Sequence, residues 1–239
     1  MLKIMLAAAT LASSPATVEM PEFPEQMHVP TARPMPAEKA APIPEAKPAP
    51  IPAAKNIVKP LVDTACHGRL TTLGVTFKPL PPFETEEGCG IADPVEISAL
   101  GGDIRVSRPG TVDCETAEVF AEFSRDTIAP VMKSVMDKTL SGIRQSSLYV
   151  CRVRNGTTKK SEHAYGRAVD IGAFLFADGS NLPVEAYDDE SPGKAALDAV
   201  REAACGPFKT VLGPGSNADH ATHFHFDLAR RRNGSTWCK

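Results

Sequence analysis

The sequence predicts an α+β domain, a central and mainly antiparallel sheet with flanking helices, stabilised by disulfides. Three observations predict it. Stretches of period two mix with stretches of helical period, without the regular strand–helix–strand rhythm of a parallel sheet. Cysteines stand at 66, 89, 114, 151, 205 and 238, an even number spread along the chain. All of them follow residue 60, behind a segment whose composition cannot build a core.

Met1-Leu2-Lys3 gives a short positive start, Ile4 to Ala12 a compact apolar run, and Ser13, Ser14 and Ala16 the small residues of a cleavage site. Residues 1–16 are therefore expected to be a signal peptide, cut near Ala16, and too short to remain as a membrane span. Between 17 and 60, prolines at 21, 24, 30, 34, 36, 42, 44, 48, 50, 52 and 60 mix with Ala, Glu and Lys. That composition favours extended polyproline II and reads as a disordered, semi-rigid linker. The folded domain is expected over 61–239.

Its first part, to about Cys89, looks irregular because Pro79, Pro81 and Pro82 interrupt it. Val95–Leu100, Gly101-Gly102 and Asp103–Val106 read as a hairpin with a two-residue turn. Asp113 is a good cap for a helix carrying Val119, Phe120, Phe123 and Val131 on one face, which Pro130 should kink or divide. Alternation predicts strands over 147–152 and 168–176, the second ending at Asp178-Gly179. Ser191 and Pro192 start a helix that Gly206 stops. Phe208–Leu212 and His223–Leu228 are two further short strands, and no internal repeat is present.

A net charge of −3 and a pI near 6.1 exclude a basic nucleic-acid-binding surface. Cysteine pairs of CxxC spacing are absent, which argues against a thiolate zinc site or a thioredoxin-like motif. In an exported chain the six cysteines fit a disulfide framework, whose connectivity spacing does not give.

Four of the six histidines fall in two short segments, Ser161 to Asp170 and His220 to Asp227. If the second is a strand, His223, His225 and Asp227 share one face, and Phe224, Phe226 and Leu228 the other. In the first, Asp170 lies among apolar neighbours where an isolated carboxylate is costly to bury, and Gly166 allows a tight turn between it and His163. Two imidazoles and a carboxylate can hold zinc with one position left open, as in a catalytic site. The same residues can also form a packed polar network, with Asp170 paired to Arg167 or Arg154.

Residues from about Leu61 to Cys238 resemble the bacterial extensin-like C-terminal domain family. The resemblance rests on Tyr149–Asn155 (YVCRVRN), Ser161–Ile171 (SEHAYGRAVDI), Val211–Ser216 (VLGPGS) and His220–Leu228. The pattern S-x-H-x-x-G-x-A-x-D is also similar to D-Ala-D-Ala carboxypeptidases and to lysostaphin-like and murein endopeptidase zinc enzymes. That resemblance implies Zn2+ held by His163, Asp170 and His225, with His223 and His220 assisting catalysis. The carboxypeptidases place a glutamate three residues before the last ligand, where this chain has Thr222. The base is then expected to be His223 or His220, with Glu162 pointing away from the site. Arg154, Arg152 and Ser161 are candidates for substrate binding. The function so implied is an exported, periplasmic zinc metallopeptidase that hydrolyses peptide amides of peptidoglycan. The alternatives are a non-catalytic wall-binding module that keeps the pocket, and a disulfide-held structural protein of the envelope.

Overall fold

The structure is a computed structural model that describes residues 63–185 and 190–239. The expected signal peptide and proline-rich linker lie outside the described residues. No helix among the described residues is long and apolar enough to cross a membrane.

The fold is α+β. Its main sheet contains β1 (Val75–Pro79), β4 (Pro94–Leu100), β5 (Arg105–Asp113), β6 (Leu140–Ser147), β7 (Ala168–Phe176), β10 (Phe224–Asp227), β9 (Thr210–Leu212) and β11 (Trp237–Cys238), in that spatial order. The short β8 (Asn181–Pro183) pairs with β7, and β2 (Phe83–Glu84) and β3 (Gly90–Ile91) form a separate ribbon. Pairing is antiparallel except between β5 and β6 and between β9 and β11. The sheet is therefore mixed, with the antiparallel character predominating.

The helices are α1 (Thr64–Thr72), α2 (Cys114–Phe123), α3 (Ala129–Met136) and α4 (Pro192–Ala204). Asp113 caps α2 by accepting from the Glu115 amide, and Ser191 caps α4 by accepting from Lys194. Pro130 divides the second helical region as expected. Its ring opposes the carbonyl four residues back, and a π-helical turn over Ser124–Ile128 joins α2 to α3.

Three expectations need correction. The stretch before Cys89 is not irregular: it holds α1, β1 and β2. Asp63 was the available signal for α1, since its carboxylate accepts from the Ala65 and Cys66 amides, but only Cys66 and Leu70 are buried on that helix. The hairpin turn spans Gly101 to Ile104, with the Ile104 amide donating to the Gly101 carbonyl, and β5 runs on to Asp113. The strand expected over 147–152 is displaced: β6 ends at Ser147, and the residues after it use their backbone elsewhere. Tyr149 N–H donates to the Thr111 carbonyl, the Leu148 carbonyl accepts from a histidine ring, and Cys151 is disulfide-bonded.

A bulge sets which face of β7 reaches the core. Arg144 pairs with Ala173 and Gln145 with Ile171, so Gly172 is the extra residue. Val169 and Ile171 then share the core with Phe174 and Phe176, although strict alternation would put Phe174 and Phe176 opposite them. A side chain at Gly172 would meet Ser146 Oγ at 2.4 Å. On the same side, Phe224 and Phe226 of β10 join the core, where Phe123 packs edge-on against Phe208 and Phe226. Each fully buried phenylalanine contributes about 1.5–3 kcal/mol. The core face of β10 is thereby fixed, and its alternate residues are committed to the other face.

The cysteines pair as Cys66–Cys114, Cys89–Cys151 and Cys205–Cys238.

Candidate metal centre

His163 is placed by a single turn of 3-10 helix, Glu162–Tyr165, that ends on Gly166 at φ 65°. The glycine is needed twice over. Its φ is left-handed, and a Cβ there would lie 2.5 Å from Ile91 Cδ1 and 2.7 Å from the Asp113 amide nitrogen. The turn buries His163 completely. Its Nδ1 donates to the Leu148 carbonyl at 2.5 Å, so Nε2 of the neutral ring carries the lone pair and faces the site.

Sheet register supplies the other two donors. Asp170 of β7 and His225 of β10 are directly paired across the antiparallel ladder, so their side chains rise together from one face. His225 Nδ1 is 2.9 Å from Asp170 Oδ1, and His163 Nε2 is 3.1 Å from Asp170 Oδ2 and 3.2 Å from His225 Nδ1. The far nitrogen of His225, Nε2, donates to Asp227 Oδ2 at 3.1 Å. Asp227 is fixed in turn by the Ala229 amide, which donates to Oδ1 at 3.0 Å.

These donors fit a zinc ion. Bonds of about 2.0–2.1 Å at tetrahedral angles put ligand atoms about 3.3 Å apart, close to the three separations here. Both imidazoles have the outer nitrogen occupied by an acceptor, which turns the inner lone pairs toward one point beside a carboxylate. Burial alone would raise the Asp170 pKa, but the contacts with His163 and His225 outweigh it and hold the carboxyl well below its ordinary value. For His225, burial favours the neutral ring, and the bonds to Asp170 and Asp227 outweigh it, pushing the pKa up to about 9.

Asp170 and His225 line a cleft of about 660 Å³, with His163 buried behind them. Over it stand His223, whose Nε2 lies 3.8 Å from Asp170 Oδ1, and His220, whose ring is 5.2 Å from that of His223 and 5.5 Å from that of His225. Asn217 Oδ1 accepts from the His220 ring at 2.6 Å. Partial burial lowers both pKa values, that of His220 to about 4, so both rings are neutral at pH 7. Ser161, Arg152 and Arg154 also line the cleft. They are carried by an excursion in which Val153 bridges Lys160 and Ser161 N–H donates to the Arg152 carbonyl.

The family model described as Extensin-like protein C-terminus matches residues 64–239. The chain belongs to the extensin-like C-terminal family. No curated protein and no solved structure matches it.

Within this family member, seven of the eight residues singled out from the sequence line one cleft, and the eighth, His163, lies fully buried behind it against Asp170 and His225. Asp170 is paired with neither Arg167 nor Arg154. Arg154 instead binds Glu162 at 3.0 Å, and Arg167 lies over the Tyr165 ring. Glu162 does not point away: it lines the cleft, because the 3-10 turn rotates it toward Arg154. Among the described residues no carboxylate pairs with Arg152, which leaves it the freer of the two arginines to meet a substrate. Asp227 was legible as a neighbour of His225 on one strand face, but not as its hydrogen-bond partner, since both sit on the same strand and only the ring torsion brings them together.

Two results follow from the geometry. Asp227→Asn should keep the fold and lower zinc affinity by about 10- to 100-fold, because it weakens the partner that orients His225; a chelator competition titration reads this. A metal bound here would also have to displace the proton that the raised His225 pKa holds on the ring. Apparent zinc affinity should therefore fall about tenfold for each unit that pH drops between 8 and 6. An affinity independent of pH over that range would show that no proton is displaced.

Proposed function

We propose that this chain is an exported zinc-dependent peptidase that hydrolyses amide bonds in the stem or cross-link peptides of peptidoglycan. The observation that carries the reading is the convergence of His163 Nε2, Asp170 and His225 Nδ1, with Asp170 and His225 lining an open cleft, His163 buried behind them and two further histidines beside them in the cleft. The motif likeness to murein-directed zinc peptidases supports the substrate class. The pairing of all six cysteines supports an oxidising, exported location.

Zinc bound by these three residues supplies a Lewis acid that polarises an amide carbonyl and acidifies water. The chain's own residues do the rest. His223 stands within reach of the reacting centre and, being neutral, accepts a proton and passes it to the leaving nitrogen. His220, its Nδ1–H held by Asn217 Oδ1, carries its lone pair on Nε2 and acts as a second acceptor for a proton or a substrate N–H. Arg152 orients a substrate carbonyl or carboxylate. Thr222 lies where the carboxypeptidases of similar motif carry a glutamate, so His223 replaces that base.

His223→Ala should retain zinc while losing about 10²- to 10⁴-fold in turnover of purified sacculi. Full activity in that variant would remove His223 from the chemistry. The same Thr222 favours a second reading, a wall-binding module that keeps its metal. Stoichiometric zinc, retention on sacculi and no released muropeptide in wild type would establish it.

A further inference from the structure

We propose that Trp237 is a stacking platform for a sugar ring, so that the cleft takes stem peptide still attached to its glycan. This deepens the peptidase reading and rests on it for the identity of the attached peptide.

Register places the ring. In the antiparallel pair of β10 and β9, His225 opposes Leu212 and Asp227 opposes Thr210. In the parallel pair of β9 and β11, Thr210 opposes Trp237. Side chains of paired residues share a face, so Trp237 rises on the same side as the metal donors, two strands from β10. Two strand spacings are about 10 Å. The cleft is continuous over this distance, since Thr210, Leu212, Asp227, His225 and Trp237 all line it.

The ring is also unusually open for a tryptophan with a fixed backbone. It is 53% exposed, yet its own amide donates to the Lys209 carbonyl at 2.7 Å and the next residue is tied to Cys205 by a disulfide. Its surroundings are polar. The Lys239 ammonium lies 4.8 Å from the ring centroid, and Arg231 binds Thr210 Oγ1 and the Lys209 carbonyl at 2.8 Å. Lys239 covers one face of the ring, and the exposed remainder beside Arg231 suits a pyranose, whose axial C–H bonds stack while its hydroxyls bond sideways. Arg231 already donates to Thr210 Oγ1 and to the Lys209 and Ser235 carbonyls, so the Lys239 ammonium and the remaining guanidinium N–H groups are the donors offered to sugar hydroxyls. Ten ångströms is roughly three residues of extended chain, so a stem whose sugar rests on Trp237 reaches the metal centre at about its third residue.

The test uses the full, oxidised, zinc-loaded chain. Trp237 is the only tryptophan in the sequence, so its emission reports the platform directly. Titration with a soluble β-1,4-linked N-acetylglucosamine tetramer should give a saturable blue shift, and calorimetry should show that binding lost in Trp237→Ala. That variant should also lose about tenfold in kcat/KM on glycan-bearing substrate, mostly through KM, and nothing on a sugar-free stem peptide. Sugar binding without cleavage of any substrate would sink the peptidase and keep the platform. Cleavage with no emission change, or an equal loss on both substrates, would overturn the platform alone.

Discussion

Asp170→Asn should reduce bound zinc from about one per chain to near none, with all peptidase activity. The substitution keeps the volume and removes the charge. Zinc sites of four ligands bind with about 10–16 kcal/mol, so a charged ligand is worth about 3–4 kcal/mol, several hundredfold in affinity. Metal analysis after dialysis against a weak chelator measures it. The packed polar network predicts something different. If Asp170 serves only to pair two histidines, a chelator changes nothing in the wild type, and Asp170→Asn loses stability whether or not zinc is present.

The second large effect concerns the disulfide between Cys89 and Cys151, which closes a loop of 62 residues. In the chain-entropy description such a crosslink contributes about 4 kcal/mol. Replacing both cysteines with serine should lower Tm by about 10 °C. It should also weaken zinc binding in the protein that remains folded. Cys151 is three residues from Leu148, whose carbonyl sets the ring of His163, and Cys89 adjoins the strand whose Ile91 packs beneath Gly166. An unchanged zinc affinity in the folded double variant would show that His163 is held without this anchor.

The two halves of the site were legible to different degrees. His163, Gly166 and Asp170 lie within one short segment, and a left-handed glycine between a histidine and a buried carboxylate is a local feature. The alternation of His225 and Asp227 with Phe224 and Phe226 is local too, and it gave the face correctly. What joins the halves is the register that sets His225 opposite Asp170, a non-local pairing that no spacing encodes. The same limit applies to the disulfide partners and to Trp237, which reaches the cleft only through the parallel pairing of β11 with β9.

The misplaced strand has a different cause. Residues 147–152 have the composition of a strand, but the acceptors and donors that a ladder would use are spent on Thr111, His163 and the excursion carrying Arg152. Gly172 shows the converse. Its bulge reverses the alternation along β7, so Phe174 and Phe176 are buried against the simple pattern while the strand itself was expected. In both places tertiary hydrogen bonding overrode a local preference.

If three buried side chains form a zinc site that works on peptidoglycan peptides, metal and activity must rise and fall together. The most direct measurement is zinc content beside digestion of purified sacculi, for the oxidised chain as isolated, after chelation and after zinc repletion. The expected result is about one zinc per chain and muropeptide release that disappears with chelation and returns with zinc. No zinc bound after repletion, with the protein folded and its disulfides formed, would contradict it.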